Sequence, residues 1–406
     1  MNTNGNQSER ITRRSFVRQS AAGSFLVMAA STALGSDANS RVKAGVIGLG
    51  GRGRMITSMV RDHGGYEITA VADYFQDRAQ GVGKQFDVPE NRCYSGLSGY
   101  RGLIASGVEA VFLETPPYFF AEHAAAAAEA GLHVYMAKPV AVDAPGCLAI
   151  DDAAKRAGQN KRCFFVDYQM PTDPANIEVR RRIAEGAIGS LAYVQVYGYG
   201  GGFQDPPKTA NLESRLRELI WVNDAALGGD YIVNYDIHAL DAALWAIGRN
   251  PVAATGESRI CRADPHGDAR DICSVLYEYE DGLVLNHAGA ALPNKAPGNL
   301  SCLVYGTTGH AQISYWGEAF VRGGSSEYEG GAVKDLYEAG ARRNIATFHD
   351  DIVQARFENP TVRRAVDGCL VTILGREAAL RGRRMTMEEL VKERKRLEVD
   401  LTGLKA

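Results

Sequence analysis

Val42-Lys43-Ala44-Gly45-Val46-Ile47-Gly48-Leu49-Gly50-Gly51-Arg52-Gly53 is the segment from which the rest of this 406-residue chain can be read. Val42 to Leu49 is an apolar, β-rich run that ends in glycines, and Arg52 to Arg61 suits a helix. Gly48, Leu49, Gly50, Gly51, Arg52 and Gly53 match G-x-G-x-x-G in the context that pattern requires, after a strand and opening a helix. Gly48 permits the tight turn, Gly50 lets the backbone approach a pyrophosphate, and Gly53 lets helix and strand pack closely. The helix N-terminus adds N–H groups and a partial positive charge for phosphate. Asp73 ends the next strand, Glu67 to Ala72, twenty residues beyond Gly53. A carboxylate there accepts hydrogen bonds from ribose hydroxyls and repels a 2′-phosphate. The expectation is a dinucleotide site that takes NAD in preference to NADP. A flavin is disfavoured, because nothing downstream suggests a flavin domain.

Outward from this segment, strands and helices alternate. Strands are expected at Ala110 to Leu113, His133 to Met136 and Arg162 to Val166. Helices are expected at Phe119 to Ala130 and near Gly146 to Ala157. Such alternation predicts a parallel sheet with helices on both faces. After about Pro174 the rhythm changes. A helix over Asn176 to Glu185 precedes strands at Leu191 to Tyr199, Thr255 to Cys261, Cys273 to Glu280, Leu283 to Gly289 and Ser301 to Tyr305. Asp281-Gly282 between two of them suits a two-residue type I′ turn. Helices over Asn344 to Phe357 and Pro360 to Leu380 close the chain. The fold class is therefore α/β: an N-terminal Rossmann domain with a parallel sheet (41–170), then a C-terminal α+β domain with an open, largely antiparallel sheet (171–406). The final helices are candidates to pack back on the first domain. Gly198 to Lys208, rich in Gly and Pro, reads as a loop over the pocket.

The N-terminal residues 1–40 read as a targeting peptide and linker. Thr12-Arg13-Arg14-Ser15-Phe16-Val17-Arg18 precedes the short apolar stretch Ala21 to Leu34, too short for a membrane span of ~20 residues. Paired arginines followed by Ser-Phe resemble the twin-arginine export signal. This implies the twin-arginine machinery as a partner and a periplasmic or extracytoplasmic location. A net charge of −3 gives no reason to expect nucleic acid, and the densest basic run, Lys392 to Arg396, reads as a solvated face of a helical tail. The seven cysteines are odd in number and show no C-x-x-C spacing, so neither a disulfide framework nor a cysteine zinc site is expected. The histidines cluster in no metal-ligand spacing, and no metal is expected.

Thr115-Pro116-Pro117 after the third strand, His123 on the next helix and Ala137-Lys138-Pro139 after the fourth recur in a known order. Gly228-Gly229-Asp230 then leads to Asn234-Tyr235-Asp236-Ile237-His238, and Met385-Thr386 precedes a short helix. In these motifs the chain after residue 40 resembles the Gfo/Idh/MocA family (glucose–fructose oxidoreductase, inositol dehydrogenase and relatives). The resemblance implies hydride transfer at a nicotinamide, a sugar or cyclitol substrate and a homo-oligomer. It implies Lys138 as the catalytic lysine, which can polarise a carbonyl or orient a hydroxyl. It implies His238 as the catalytic histidine, suited to take a hydroxyl proton. Asn234 and Asp236 complete the candidate catalytic set. Thr115, Pro116, Pro117, His123, Lys138 and Pro139 join the glycine loop and Asp73 as candidate cofactor contacts. Tyr168, Gln169 and Trp221 are candidate substrate contacts beside Lys138 and His238; for Trp221, as for Tyr231, core packing is the competing reading. Two departures stand out: Ala137 replaces the family's usual Glu, and Asn234 its usual Asp.

Three functions follow. One is an NAD(P)-dependent oxidoreductase acting on a sugar, glycoside or cyclitol, with a retained cofactor because an exported enzyme has no obvious nicotinamide pool. The second is redox-neutral glycoside cleavage through transient oxidation. The third is a non-catalytic sugar-binding protein on the same fold.

Overall fold

The computed structural model describes residues 41–205, 211–217 and 220–406. The expected leader, 1–40, and the end of the Gly198 to Lys208 stretch lie outside the described residues.

The first sheet has six parallel strands in the order β3-β2-β1-β4-β5-β6: β1 Val42–Ile47, β2 Tyr66–Asp73, β3 Cys93–Ser95, β4 Ala110–Leu113, β5 His133–Ala137 and β6 Phe164–Asp167. Every residue of β4, β5 and β6 is buried. Such continuous apolar runs are what a sheet covered on both faces requires. Helices α1 Gly51–His63, α2 Gln76–Gln85, α3 Gly99–Ile104, α4 Phe120–Glu129 and α5 Ala144–Gln159 connect them. The strand order reverses between β1 and β4, and ligands bind at that switch point in doubly wound sheets.

The second part begins with α6 Pro174–Ala184, β7 Leu191–Gly200, α7 Leu212–Arg215 and α8 Ala225–Gly228. A π-helical turn, Ile232–Asp236, then runs into α9 Ile237–Ile247. Strands β8 Ala253–Arg259, β9 Ile272–Glu278, β10 Val284–Ala291, β11 Asn299–Gly306, β12 Gly309–Ser314, β13 Gly317–Gly323 and β14 Tyr328–Val333 follow. The chain continues through α10 Leu336–Val353, α11 Pro360–Arg381, β15 Met385–Thr386 and α12 Met387–Glu393. The sheet order is β14-β13-β12-β11-β7-β10-β9-β8-β15, antiparallel except where β7 and β10 run parallel. Burial alternates along β10, so one face packs under helices. Nine of the eleven residues of α9 are buried, as an almost wholly apolar helix demands.

The closing helices tie the two sheets together. Ala341, Ile345 and Phe348 of α10 pack into the core of the first sheet, and the Tyr66 hydroxyl donates to the Ile345 carbonyl at 3.0 Å. Edge strand β6 donates Phe164 N to Asn359 Oδ1 (2.8 Å) and Val166 N to Thr361 Oγ1 (3.0 Å). Its open edge is thereby covered, as edge strands require.

Two expectations are corrected. The turn at Asp281-Gly282 is not type I′, because only Gly282 has a positive φ (82°). Gly282 N bonds the Tyr279 carbonyl and Tyr279 N bonds that of Leu283, so a wider turn ends on a left-handed glycine. The run Lys392 to Arg396 is not one helix face either. Helix α12 ends at Glu393, Arg394 is left-handed (φ 48°), and Lys395 Nζ reaches the Glu377 carboxylate at 3.0 Å.

Candidate active site

Two adjoining cavities open at the C-terminal ends of the first-sheet strands. The first is lined by Gly48, Gly50, Asp73, Thr115, Pro116, His123 and Trp221, among others. Its cradle fits a dinucleotide. Gly48 has φ 91°, and a Cβ there would press on the backbone of Glu114 and Thr115. A Cβ on Gly53 would overlap the Gly48 carbonyl, while one on Gly50 meets only Arg78 at 3.8 Å, leaving the loop open on its outer side. Leu49 N and Phe75 N donate to the Asp73 carboxylate at 2.7 and 2.9 Å, which fixes it at the mouth of the cleft. Burial raises its pKa against the pull of these two bonds. Asp73→Ser is expected to weaken NAD binding about tenfold, the worth of one charge-assisted hydrogen bond, and to narrow its margin over NADP. Calorimetric titration with each nucleotide checks this; unchanged NAD affinity would remove Asp73 from the site.

His123 is buried at the foot of this cavity, its Nδ1 3.4 Å from Thr115 Oγ1, and burial pushes its pKa down to about 4. Gly51 only opens α1, Leu49 contributes its backbone N–H, and Pro139 is buried behind Lys138. The C-terminal segment packs behind residues that line this cleft, a role that sequence reasoning does not reveal. Val399, Leu401 and Leu404 pack against the buried cluster of Phe75, Leu212, Leu216 and Leu227, as Tyr74 and Trp221 do. Leu97 N donates to the Lys405 carbonyl (2.9 Å), and Lys405 N donates to the Tyr74 hydroxyl (3.2 Å). The hydrophobic spacing of this segment is too short and irregular to carry a periodic signal.

The second cavity shares Glu114, Thr115 and Trp221 with the first and is also lined by Lys138, Asn234, His238, Gln169 and Pro117. Lys138 leaves the end of β5 and donates from Nζ to the Asn234 carbonyl at 2.5 Å. Burial, then Arg52, lowers its pKa to about 7. His238 lies edge-on to Tyr315 (4.8 Å between ring centres), and burial, with Lys138 and Arg52, holds its pKa well below the ordinary value. Its Nδ1 has no hydrogen-bond partner among the described residues.

Some expected residues stand elsewhere. Tyr168 is buried behind His238, 6.4 Å between ring centres, and lines neither cavity. Tyr231 stacks on Tyr235 at 4.9 Å, and it is Tyr235 that faces the cavity. Asp236 turns away from the cavity to pair with His287, Oδ2 to Nε2, at 2.8 Å. Arg52 points inward from the glycine loop. It pairs with Asp167, lies 3.2 Å from Glu114 and has its guanidinium 5.0 Å from the Tyr337 ring centre.

Sequence reasoning misses Glu114, Asp167, His287, Tyr315 and Trp316. The first two carry a signal: each is an acid at the end of a strand whose other residues are apolar. Burial raises the Glu114 pKa to about 8 in spite of Arg52. Tyr315 and Trp316 carry none, since a turn between two late strands brings them in. Among the described residues no group of three metal-ligating side chains occurs, and no helix is long and apolar enough to cross a membrane.

Comparison with known proteins matches these features. The family described as Gfo/Idh/MocA oxidoreductases with an NAD-binding Rossmann fold matches residues 42–167, and its C-terminal domain matches 177–312. Inositol 2-dehydrogenase of Klebsiella pneumoniae (strain 342) is 27% identical over 279 residues, 67% of this chain and 74% of that protein. Aldose-aldose oxidoreductase from Caulobacter crescentus, solved with glycerol, shares the fold with TM-score 0.68 and 21% identity, over 86% of this chain and all (100%) of that one. An inositol dehydrogenase homolog from Azotobacter vinelandii, solved with NAD+, does so with TM-score 0.70 and 19% identity, over 86% of this chain and 98% of its own.

Proposed function

The chain belongs to the Gfo/Idh/MocA oxidoreductase family, and on that premise we propose that it oxidises a hydroxyl of a sugar, glycoside or cyclitol, or reduces the corresponding ketone, with NAD. The observation that carries the reading is the convergence of Lys138, His238 and Asn234 in one cavity that adjoins the glycine cradle. When bound along the cradle, NAD supplies the two-electron acceptor.

The protein's own groups divide the remaining work. Oxidising an alcohol requires that its hydroxyl proton be taken up. Lys138, with a pKa of about 7, holds a useful fraction of free amine at neutral pH and still binds a proton firmly. His238 does not suit that task, because burial beside Lys138 and Arg52 disfavours imidazolium and neutral Asn234 offers no compensating charge. We therefore assign proton uptake to Lys138. His238 orients the hydroxyl as a neutral hydrogen-bonding group. Tyr235, Tyr315 and Trp316 offer apolar ring faces to the C–H face of a sugar. Arg52, the one arginine among the described residues that line the cavity, already pairs with Asp167 and lies against Glu114, so a neutral polyol fits better than a sugar acid. Lys138 and His238 in one open cavity favour an enzyme over a non-catalytic sugar binder.

A retained cofactor rests on the export reading, because an exported enzyme has no obvious nicotinamide pool. Export by the twin-arginine route, periplasmic location and a homo-oligomer remain part of this proposal, carried by the Arg13-Arg14 segment and by family resemblance. The deciding experiment denatures protein purified from its native compartment and identifies released nucleotide by mass. Refolded or intact protein is then offered pyranosides and cyclitols while reduced nicotinamide absorbance is followed. Stoichiometric NAD(H) with ketone formation supports the proposal. Bond cleavage without net reduced nicotinamide would replace it with the redox-neutral reaction. Failure to bind any nucleotide would end it.

A further inference from the structure

We propose that Asp236, held by His287 in a hole that two glycines leave in the second sheet, is a positioning residue that keeps the Asn234 carbonyl against Lys138. The inference rests on the reading of Lys138 as proton acceptor. Gly198 of β7 stands directly opposite Gly289 of β10 in the parallel pair. A Cβ on either would overlap the Asp236 carboxylate. That carboxylate fills the gap, and both it and the His287 ring are 0% exposed. Glycine weakens a strand interior, and a buried carboxylate carries a desolvation penalty. The sheet tolerates both at one place, and what they secure is the π-helical turn Ile232–Asp236. Turns of this kind concentrate at functional sites. Two residues before Asp236, the Asn234 carbonyl accepts from Lys138; one before, Tyr235 faces the substrate cavity; two after stands His238.

Charge adds to geometry. Lys138 faces Arg52 of α1, Glu114 beyond β4, Asp167 of β6 and Asp236 of this turn. Asp236 faces His287 of β10 and Lys138, and its charge also acts on the Tyr231 and Tyr235 hydroxyls. Asp236 favours the ammonium form of Lys138 and so offsets part of the opposing effect of burial and Arg52. Without it the amine would lose its proton too readily to serve as acceptor near neutral pH.

The test needs neither substrate nor cofactor. Acetic anhydride acylates only the free amine, and mass spectrometry of the Lys138 peptide across pH yields its titration midpoint in the whole protein. Asp236→Asn preserves volume and removes charge, and it is expected to lower the midpoint by roughly one unit. A midpoint equal to that of the unaltered protein, whatever happens to the melting temperature, overturns the proposal, because a merely structural role moves only stability. Gly289→Ala keeps both partners but displaces the carboxylate; the same downward shift is expected, and this variant replaces Asp236→Asn if the latter does not fold. A Lys138 that titrates near the ordinary lysine range in the unaltered protein would instead refute the proton-acceptor reading itself.

Discussion

Lys138→Met is expected to lower kcat for alcohol oxidation by about 10²- to 10⁴-fold, the usual worth of a positioned acid–base group, while NAD affinity changes by less than about threefold. The asymmetry follows from placement. Lys138 lines the second cavity and Gly48, Gly50 and Asp73 line the first, so its loss removes proton uptake and leaves the pyrophosphate and ribose contacts in place. The pH profile makes the assignment specific. The amine, not the ammonium, accepts the proton, so kcat/KM of the unaltered protein is expected to rise with pH through a midpoint near 7 and level off above it. In Lys138→Met that limb disappears. Steady-state kinetics across pH with calorimetric NAD titration tests both statements. A loss below tenfold, or a limb that survives, would return proton uptake to His238.

Arg52→Met is expected to cost about 3–5 kcal/mol of stability near pH 8, the scale for removing one partner of a buried ionic cluster. Arg52 pairs with Asp167 and lies 3.2 Å from Glu114, and both acid side chains are 0% exposed. Asn344 Nδ2 donates to Asp167 at 2.6 Å, but among the described residues no other ion pair reaches either acid once the guanidinium is gone. Glu114, whose burial already favours the protonated form, would then favour it still more strongly. The part of the deficit that Glu114 contributes is therefore fully present only above its raised folded-state midpoint and is lost as pH falls through about 8, where its carboxyl takes up a proton with or without Arg52. Adding Glu114→Gln should recover part of the loss at pH 8. Urea unfolding of the single and double variants at two pH values measures each contribution. A deficit below about 1 kcal/mol, or one that grows in acid, would show that the cluster is more solvated than its burial indicates. Because Arg52 also disfavours the Lys138 ammonium, the same variant should move the midpoint of the kinetic limb upward.

Much of this protein is legible in its amino-acid sequence. The glycine loop and Asp73 stand out in the sequence because a dinucleotide cradle is local: one turn, one helix start and one strand end, all within a βαβ unit; Gly48, Gly50 and Asp73 line one cavity. Buried parallel strands such as β4 and β5 announce themselves as apolar runs. Lys138 and His238 emerge from motif order, and the fold brings them into one cavity. Side-chain direction is not legible. Asp236 and Asn234 are two residues apart, yet one enters the sheet and the other faces the cavity, and a π-helical turn is what separates them. Tyr231 and Tyr235 lie in one stack and only Tyr235 reaches the open side, which their spacing does not reveal. Glu114, Asp167 and Arg52 are far apart in the chain, and their pairing exists only once β4, β6 and the glycine loop lie side by side. Backbone conformation here follows from the chain's own order of residues, since turn chemistry and hydrophobic runs act over a few positions. The electrostatics of the site arise only on folding, because proton affinities depend on burial and on charges that strands distant in sequence bring within a few ångströms.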